Sequence, residues 1–586
     1  MRIWLIIFLI YAASNLQAQY RLQVQCDSCE KIKMSFQSDF TDSLSIVQYL
    51  RTTRLKLLGQ GFVEASIDQL SFKKKNALAK IYLGEKYHLV ILNTNDIPEG
   101  LKPKKNYLSE TKIPFSPLDL ENYMQNILDL ATQNGYPIAD VYLDSIQIYN
   151  GQLQAKIIIN KGPFIQYAQP ETHGKLDIRS VFIQNYLHFS PSAPFNLADV
   201  RAAKKRINEL DFMQLTGSPN IQLRGNEAII SLNLKEKKAN QFNFLVGVLP
   251  NNIETNKLLL VGNVLVDFKN MLGYGEQLYF KFDQNRPQTQ QLDVRTVWPY
   301  PFNLPIGFDG YFKLYKRDTS YLDIKSQFAI RYYLNGNDYL KVFWQSTKSN
   351  LLNINVNQLI ISKRLPDNLD FRSNIFGLEY GIEKLDYRLN PRKGWSLKTN
   401  LGAGILTHPS NPKITEIVIP SQPDFSFQSL YDTLDQKSWE IRSSLQVSAY
   451  IPIQKNSVIA LSNQTGWLHS PSTISQNQLY RIGGNQFLRG FDEESVFASI
   501  YNVSTLEYRL LIGATSYLYA FGDYGLTQAP TLDNTQIQSN FIGLGAGLSF
   551  QTKAGLFRIS YALGKQDINP FDTRSAKIHL GYQSVF

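Results

Sequence analysis

Near the C-terminal end of the chain, the stretch RIGGNQFLRGFDEE sets Arg489 in a glycine-rich loop, and two carboxylates, Glu507 and Asp523, follow on the next alternating segments. That arrangement suits an ion-pair lock. A guanidinium taken out of water is costly unless hydrogen-bonded carboxylates meet it, and two of them around its planar fork give a geometry that lysine cannot reproduce. Strand parity supplies the placement. Leu506, Tyr508 and Leu510 take one face, which leaves Thr505, Glu507 and Arg509 on the other, while Tyr517, Tyr519, Phe521 and Asp523 share a face of the following segment. If both polar faces line one interior, a loop folded inward delivers Arg489 to Glu507 and Asp523. No catalytic constellation competes with this reading. The sequence has no G-x-S-x-G elbow, and its six histidines, His88, His173, His188, His408, His469 and His579, form no H-E-x-x-H motif or paired cluster. The expectation is a chain that is not an enzyme and uses no cofactor and no metal.

The elements that would position these groups are strands. From Asn240 to the last residue, apolar and polar positions alternate: Leu258, Leu260, Val264, Val266 and Phe268 oppose Asn263 and Asp267, and Leu278, Phe280 and Phe282 oppose Gln277, Tyr279 and Lys281. Phe557, Ile559, Tyr561 and Leu563 oppose Arg558 and Ser560, and Ile578, Leu580, Tyr582 and Phe586 oppose Lys577, His579 and Gln583. Apolar outside and polar inside is what a closed transmembrane barrel requires, because closure leaves no backbone edge unpaired in lipid. At ~10 residues per membrane strand and a connection of similar length, the region predicts about sixteen strands. Tyr274, Tyr300, Tyr332, Tyr333 and Tyr517 stand near segment ends, where an aromatic girdle is expected.

Residues 1–18 read as a secretory signal: Arg2, an apolar run from Ile3 to Ala13, and a cleavage site ahead of Gln19. Beyond it no apolar run reaches the ~18 residues of a transmembrane helix. Residues 19–238 instead mix helical and strand periods in three blocks, 19–92, 93–162 and 163–238. The first has a helix from Leu44 to Leu58 with Leu44, Val47, Leu50, Leu55 and Leu58 near one face, then strands Val63 to Phe72 and Ala77 to Tyr82. In the second, Ser116 caps a helix ending at Asn134-Gly135, and strands Ile138 to Ile148 and Leu153 to Ile159 turn at Asn150-Gly151. The third has a strand Phe164 to Gln169, helices Ile178 to His188 and Leu197 to Leu210, and strands Gln214 to Leu223 and Ala228 to Leu234. Each block reads β-α-α-β-β.

The net charge of +11 is spread among acidic residues, with short clusters such as Lys73-Lys74-Lys75. Solvated faces, or attraction to anionic lipid or unfolded proteins, account for it; nucleic acid does not suit an exported chain. Cys26 and Cys29 are the sole cysteines. A small-loop disulfide is the leading reading in an oxidising compartment, with a redox pair or a lipidated Cys26 as alternatives.

The repeating block resembles the polypeptide-transport-associated (POTRA) domain, and Gly61-Phe62 and Gly135-Tyr136, each ending a helix before a strand, are similar to that family's habit. Leu488-Arg489-Gly490-Phe491 resembles the loop signature of the BamA/TamA outer-membrane assembly superfamily. Phe521-Gly522-Asp523-Tyr524-Gly525 is similar to its F-x-D-x-G strand motif, Leu506-Glu507-Tyr508 to the motif before it, and DYRLNPRKG from Asp386 to Gly394 to its D-x3-N-P-R-x-G turn. The resemblance covers the mature chain and implies α+β periplasmic POTRA repeats followed by an antiparallel barrel, residues 239–586, in the bacterial outer membrane. It also implies a luminal loop lock of Arg489, Gly490, Phe491, Glu507, Phe521, Asp523 and Gly525, and a seam between the first strand, near Phe242 to Leu249, and the last. Gly581, Tyr582 and Phe586 belong to that seam; Ser584 interrupts the outward row that looks like an insertion signal. Implied partners are unfolded outer-membrane or secreted clients, outer-membrane lipids and a periplasmic or inner-membrane assembly partner. A two-partner-secretion translocator, which shares the loop, is the alternative.

Overall fold

In a computed structural model of the chain, the described residues are 20–583 apart from 28–29, 31, 33, 104–110, 115, 251–257, 287–288, 337, 387–389, 420, 423, 435–436, 485–486, 514–515, 531–535 and 553–555. The signal segment, Cys29, Ser584 and Phe586 lie outside them. The described residues fall into two compact units, one within 20–167, 192–198 and 223–228, the other within 168–191, 199–222 and 229–583.

The first unit begins with β1 (Tyr20–Cys26), β2 (Asp39–Phe40), α1 (Ser43–Gly59), β3 (Ser66–Lys73) and β4 (Asn76–Tyr82). Their sheet has the order β2-β1-β4-β3, with β1 parallel to β4. Asp42 caps α1 by accepting the Ser45 amide at 2.7 Å. The helix buries Ile46, Leu50, Thr53 and Leu57, while Leu44, Val47 and Leu55 are exposed. The expected face is therefore corrected. Two apolar stripes run along this helix, and the sheet takes the one spaced i, i+4, i+7, i+11 from Ile46. Cys26, disulfide-bonded, closes β1.

A second sheet contains β5 (Leu89–Asn93), β6 (Thr111–Pro114), β7 (Asp140–Tyr149) and β8 (Gln152–Asn160), ordered β6-β5-β8-β7, with α2 (Pro117–Gln133) packed on it. Because β5 pairs in parallel with β8, the boundary expected at 92/93 moves to between Tyr82 and Leu89. The Ser116 hydroxyl accepts the Asp119 amide as the N-cap, and Asn150 and Gly151 turn the β7–β8 hairpin with φ of 50° and 70°. Gly135 follows α2 at φ 89°, where an added Cβ would run into the Phe164 ring. Gly135→Ala is expected to weaken this domain by about 1–3 kcal/mol, read as faster hydrogen exchange in β7 and β8 of the full chain; unchanged exchange would contradict it.

Next come β9 (Gln166–Tyr167), β10 (Glu171–His173), α3 (Ser180–Leu187), α4 (Leu197–Glu209), β11 (Met213–Leu215), β12 (Asn220–Arg224) and β13 (Glu227–Glu236). The expected strand 164–169 shortens to β9, and 214–223 splits into β11 and β12 around Gly217, at φ 90°, and Pro219, which has no amide to donate. Two helices stand in this block, whereas the second block has one helix and a 3-10 turn, Glu99–Leu101.

From Gln241 onward the chain forms a sixteen-stranded antiparallel sheet. Its first half is β14 (Gln241–Pro250), β15 (Leu258–Lys269), β16 (Gln277–Arg286), β17 (Thr289–Pro299), β18 (Ile306–Arg317), β19 (Tyr321–Asn335), β20 (Asp338–Leu351) and β21 (Phe371–Leu385). Its second half is β22 (Gly394–Thr407), β23 (Lys437–Gln454), β24 (Ser457–His469), β27 (Ile500–Leu511), β28 (Tyr517–Pro530), β29 (Gln536–Gln551), β30 (Leu556–Gln566) and β31 (Lys577–Gln583). β25 (Tyr480–Ile482) and β26 (Val496–Ala498) make a separate ribbon inside the β24–β27 loop. Each strand pairs with the next in sequence, and β14 and β31 are the two ends of the order.

Parity holds along the sheet. Phe244, Phe328, Phe376, Leu401 and Leu506 are exposed, while Gln241, Asn243, Asp293, Lys341 and Glu440 are buried, so charge points inward and hydrocarbon outward. The expected tyrosine girdle is corrected. Tyr332 faces outward, but its neighbour Tyr333 must take the opposite face and packs with its ring centre 4.8 Å from that of the buried Tyr300, and Tyr517 is also buried. Tyr274 packs on Trp298. Tryptophans mark the rims instead: Trp298 and Trp395 are exposed at one end of their strands, Trp439 and Trp467 at the other.

Candidate functional site

The β24–β27 loop turns back into the lumen because its glycines allow it. Gly483, Gly484 and Gly490 have φ of 113°, 92° and 91°, and a bridge between Gly484 and Leu488 closes the tip. A capping box of Ser475 and Gln478 sets the approach. Leu488 is fully buried with Ile482, Ala498, Tyr501, Val503 and Phe541, and its methyls face Gly525, where a Cβ would sit 3.3 Å from them. Leu488 thus drops the tip into a gap that Gly525 leaves in β28.

Next to that anchor, Arg489 is 8% exposed. Its Nε and Nη2 donate to the two oxygens of Asp523 at 2.8 and 2.6 Å, its backbone amide donates to the same carboxylate at 3.0 Å, and Nη1 donates to Glu507 at 3.0 Å. The guanidinium lies 3.5 Å from the centre of the Phe521 ring, so its flat face is covered as well. Asp523 is 2% exposed and accepts one further bond, from the Thr505 hydroxyl at 2.8 Å. Strand register explains the meeting: Thr505 pairs opposite Asp523 and Glu507 opposite Phe521 on β27 and β28.

The other residues of the expected lock pack around this pair. Phe491 makes an edge contact with Phe541 at 5.2 Å, and the Gly490 backbone lies so close to Leu563 and Gly564 of β30 that a Cβ at 490 would collide with them. A Cβ on Gly543 of β29 would collide with the Arg489 carbonyl. Gly581 and Tyr582 lie in β31, the terminal strand of the sheet.

One member of the cluster escaped the sequence reading. Arg509, placed in the lumen by parity but given no role, donates to Glu507 at 2.7 Å and reaches Asn390 at 3.4 Å. Asn390 belongs to the DYRLNPRKG turn, where the Asp386 carboxylate accepts the Arg392 and Lys393 amides at 3.0 and 3.1 Å. Two arginines therefore face two carboxylates, and the buried group is balanced in charge. A carboxylate two residues before an arginine on the same strand face, Glu507 and Arg509, was the signal available for finding it. Among the described residues no group of three or more metal-ligating side chains occurs. The arrangement binds and orients a loop; it offers no nucleophile with a base.

A family model, the Omp85 superfamily domain, matches residues 230–582. Among solved structures, CdiB from Escherichia coli is 12% identical, over 93% of this chain and 99% of that one, with a TM-score of 0.52. CdiB from Acinetobacter baumannii is 13% identical, over 82% and 84%, also at 0.52. BamA from Haemophilus ducreyi, lacking POTRA domains 1–3, is 16% identical, over 86% and 99%, at 0.45. At these identities the CdiB likeness is one of fold. None of the curated proteins matches the chain. With well over half of its length under the family model, the chain belongs to the Omp85 superfamily, as an outer-membrane β-barrel whose N-terminal POTRA domains lie in the periplasm.

Proposed function

We propose that this protein assembles client β-proteins into the outer membrane: three POTRA domains gather client strands, and the junction of β14 and β31 admits them to the bilayer. The observation that carries the reading is the contrast between lumen and seam. The lumen is crossed by a loop bonded to its wall through Arg489, whereas the sheet ends on β31, matched to β30 only over Lys577–Gln583 among the described residues. A strand end in a bilayer holds unpaired amides and carbonyls, and a client strand supplies their partners. Client capture has an edge of its own in β7, which ends the second sheet and exposes Tyr142, Ile146 and Ile148. Clients in this reading are unfolded outer-membrane or secreted proteins. Outer-membrane lipids and a periplasmic or inner-membrane assembly partner are its other contacts.

A second reading, a two-partner-secretion translocator, draws on the polar lumen, where a cavity of about 470 Å³ is lined by Asp267, Arg295, Asp309, Arg331, Lys341 and Glu379 among others. Depletion separates the two. Loss of several unrelated outer-membrane barrels from the membrane proteome is the result expected of assembly; loss of one secreted protein with every barrel intact would overturn it in favour of translocation.

A further inference from the structure

The loop that carries Arg489 is held at its base as well as at its tip. On its outgoing limb, Arg481 of β25 donates from Nη2 to Asp323 at 2.8 Å and from Nη1 to the Tyr321 hydroxyl at 3.2 Å, and its guanidinium stacks 4.2 Å from the centre of the Tyr315 ring. On the returning limb, Glu494 accepts the Tyr315 hydroxyl at 2.7 Å, and the Phe497 ring lies 4.8 Å from the Arg317 guanidinium. Asp323 and Tyr321 are 7% and 2% exposed. These partners belong to β18 and β19, whereas those of Arg489 belong to β27 and β28, and five strands separate the two groups in the sheet order. Past Arg489 the tip continues toward the seam: it rests on Gly543 of β29 and Gly564 of β30, and Asp492 pairs with Lys577 of β31 at 2.9 Å.

We infer that Arg481 and Asp323 form a second latch, and that the loop is a tie across the lumen from the early strands of the barrel to the last ones. Arg481 is a positioning residue. It bonds two partners in different directions while its face covers Tyr315, a donor set that lysine cannot supply. Two anchors on one loop reinforce each other. When either opens, the other keeps the loop within reach, so rebinding is intramolecular and fast. Clearing the lumen then requires both arginines to let go. The inference rests on the proposed function only in taking the docked loop as the resting state, and its test needs no client.

The experiment is conductance of the purified full-length protein in planar bilayers, with folding verified for each variant by heat-modifiable migration. Arg489→Ala or Arg481→Ala alone is expected to raise the open fraction by less than about threefold, and the two together by more than about thirtyfold. Arg481→Lys in the Arg489→Ala background is expected to open the lumen nearly as far as the double alanine variant. Asp323→Asn, which preserves volume and hydrogen bonding, replaces Arg481→Ala should that variant fail to fold. A double variant no more open than Arg489→Ala alone, or full rescue by Arg481→Lys, would overturn the second latch. Closed channels in the folded double variant count against the latch and leave the assembly reading standing, because depletion tests that reading separately; loss of one secreted protein with every barrel intact on depletion overturns the assembly reading and leaves the latch standing.

Discussion

Arg489→Ala is expected to destabilise the barrel by about 3–5 kcal/mol, because it removes one side of a buried ion pair and leaves the other in place. Asp523, 2% exposed, loses its bidentate partner and keeps the Thr505 hydroxyl and, if the tip stays seated, one backbone amide. Glu507 fares better, since Arg509 still donates to it at 2.7 Å. The asymmetry ranks the carboxylates: Asp523 carries most of the effect. Arg489→Lys retains a charge but gives up the fork, which engages both oxygens of Asp523 and Glu507 at once, and the cover on Phe521. Its expected loss is about half that of alanine. Urea unfolding of the folded barrel, followed by gel migration, reads both variants, and client assembly should fall in the same order. Indifference of stability and assembly to both substitutions would leave the loop motif without a mechanical role.

How far this site was legible in the sequence follows from its physics. Alternation in β27 and β28 has a period of two, so the side of Glu507 followed from Leu506, Tyr508 and Leu510 without any knowledge of register, whereas Asp523 was tied only to the face of Tyr517, Tyr519 and Phe521. Register then supplied what parity could not, placing Thr505 opposite Asp523 and Phe521 beside Glu507. The Arg481 latch was not legible, because Asp323 stands 158 residues earlier and nothing local to either residue announces the other. Periodicity misled where a segment carried two apolar stripes, as in α1, whose exposed Leu44 and Leu55 imitate a core face. Position near a segment end misled for Tyr300, Tyr333 and Tyr517, since a tyrosine there satisfies a lipid rim and a polar lumen equally well by composition, and parity decides between them. The domain boundary shifted for a related reason: β5 pairs in parallel with β8, and a parallel strand has no hairpin turn to mark its partner.

The seam gives the second large effect. If clients enter between β14 and β31, covalent closure of that junction should abolish assembly while the latch, the lumen and the periplasmic domains stay as they are. Phe242 and Phe244 face outward on β14, and Ile578 does so on β31, so cysteines at outward positions on both strands stay clear of the lumen. The decisive measurement is the rate of client barrel assembly by the full-length protein with a cysteine pair tying β14 to β31, oxidised and then reduced in the same preparation. The account predicts assembly lost by about tenfold or more on oxidation and restored on reduction, as expected when the entry edge is closed. Undiminished assembly through a fully crosslinked seam would contradict it.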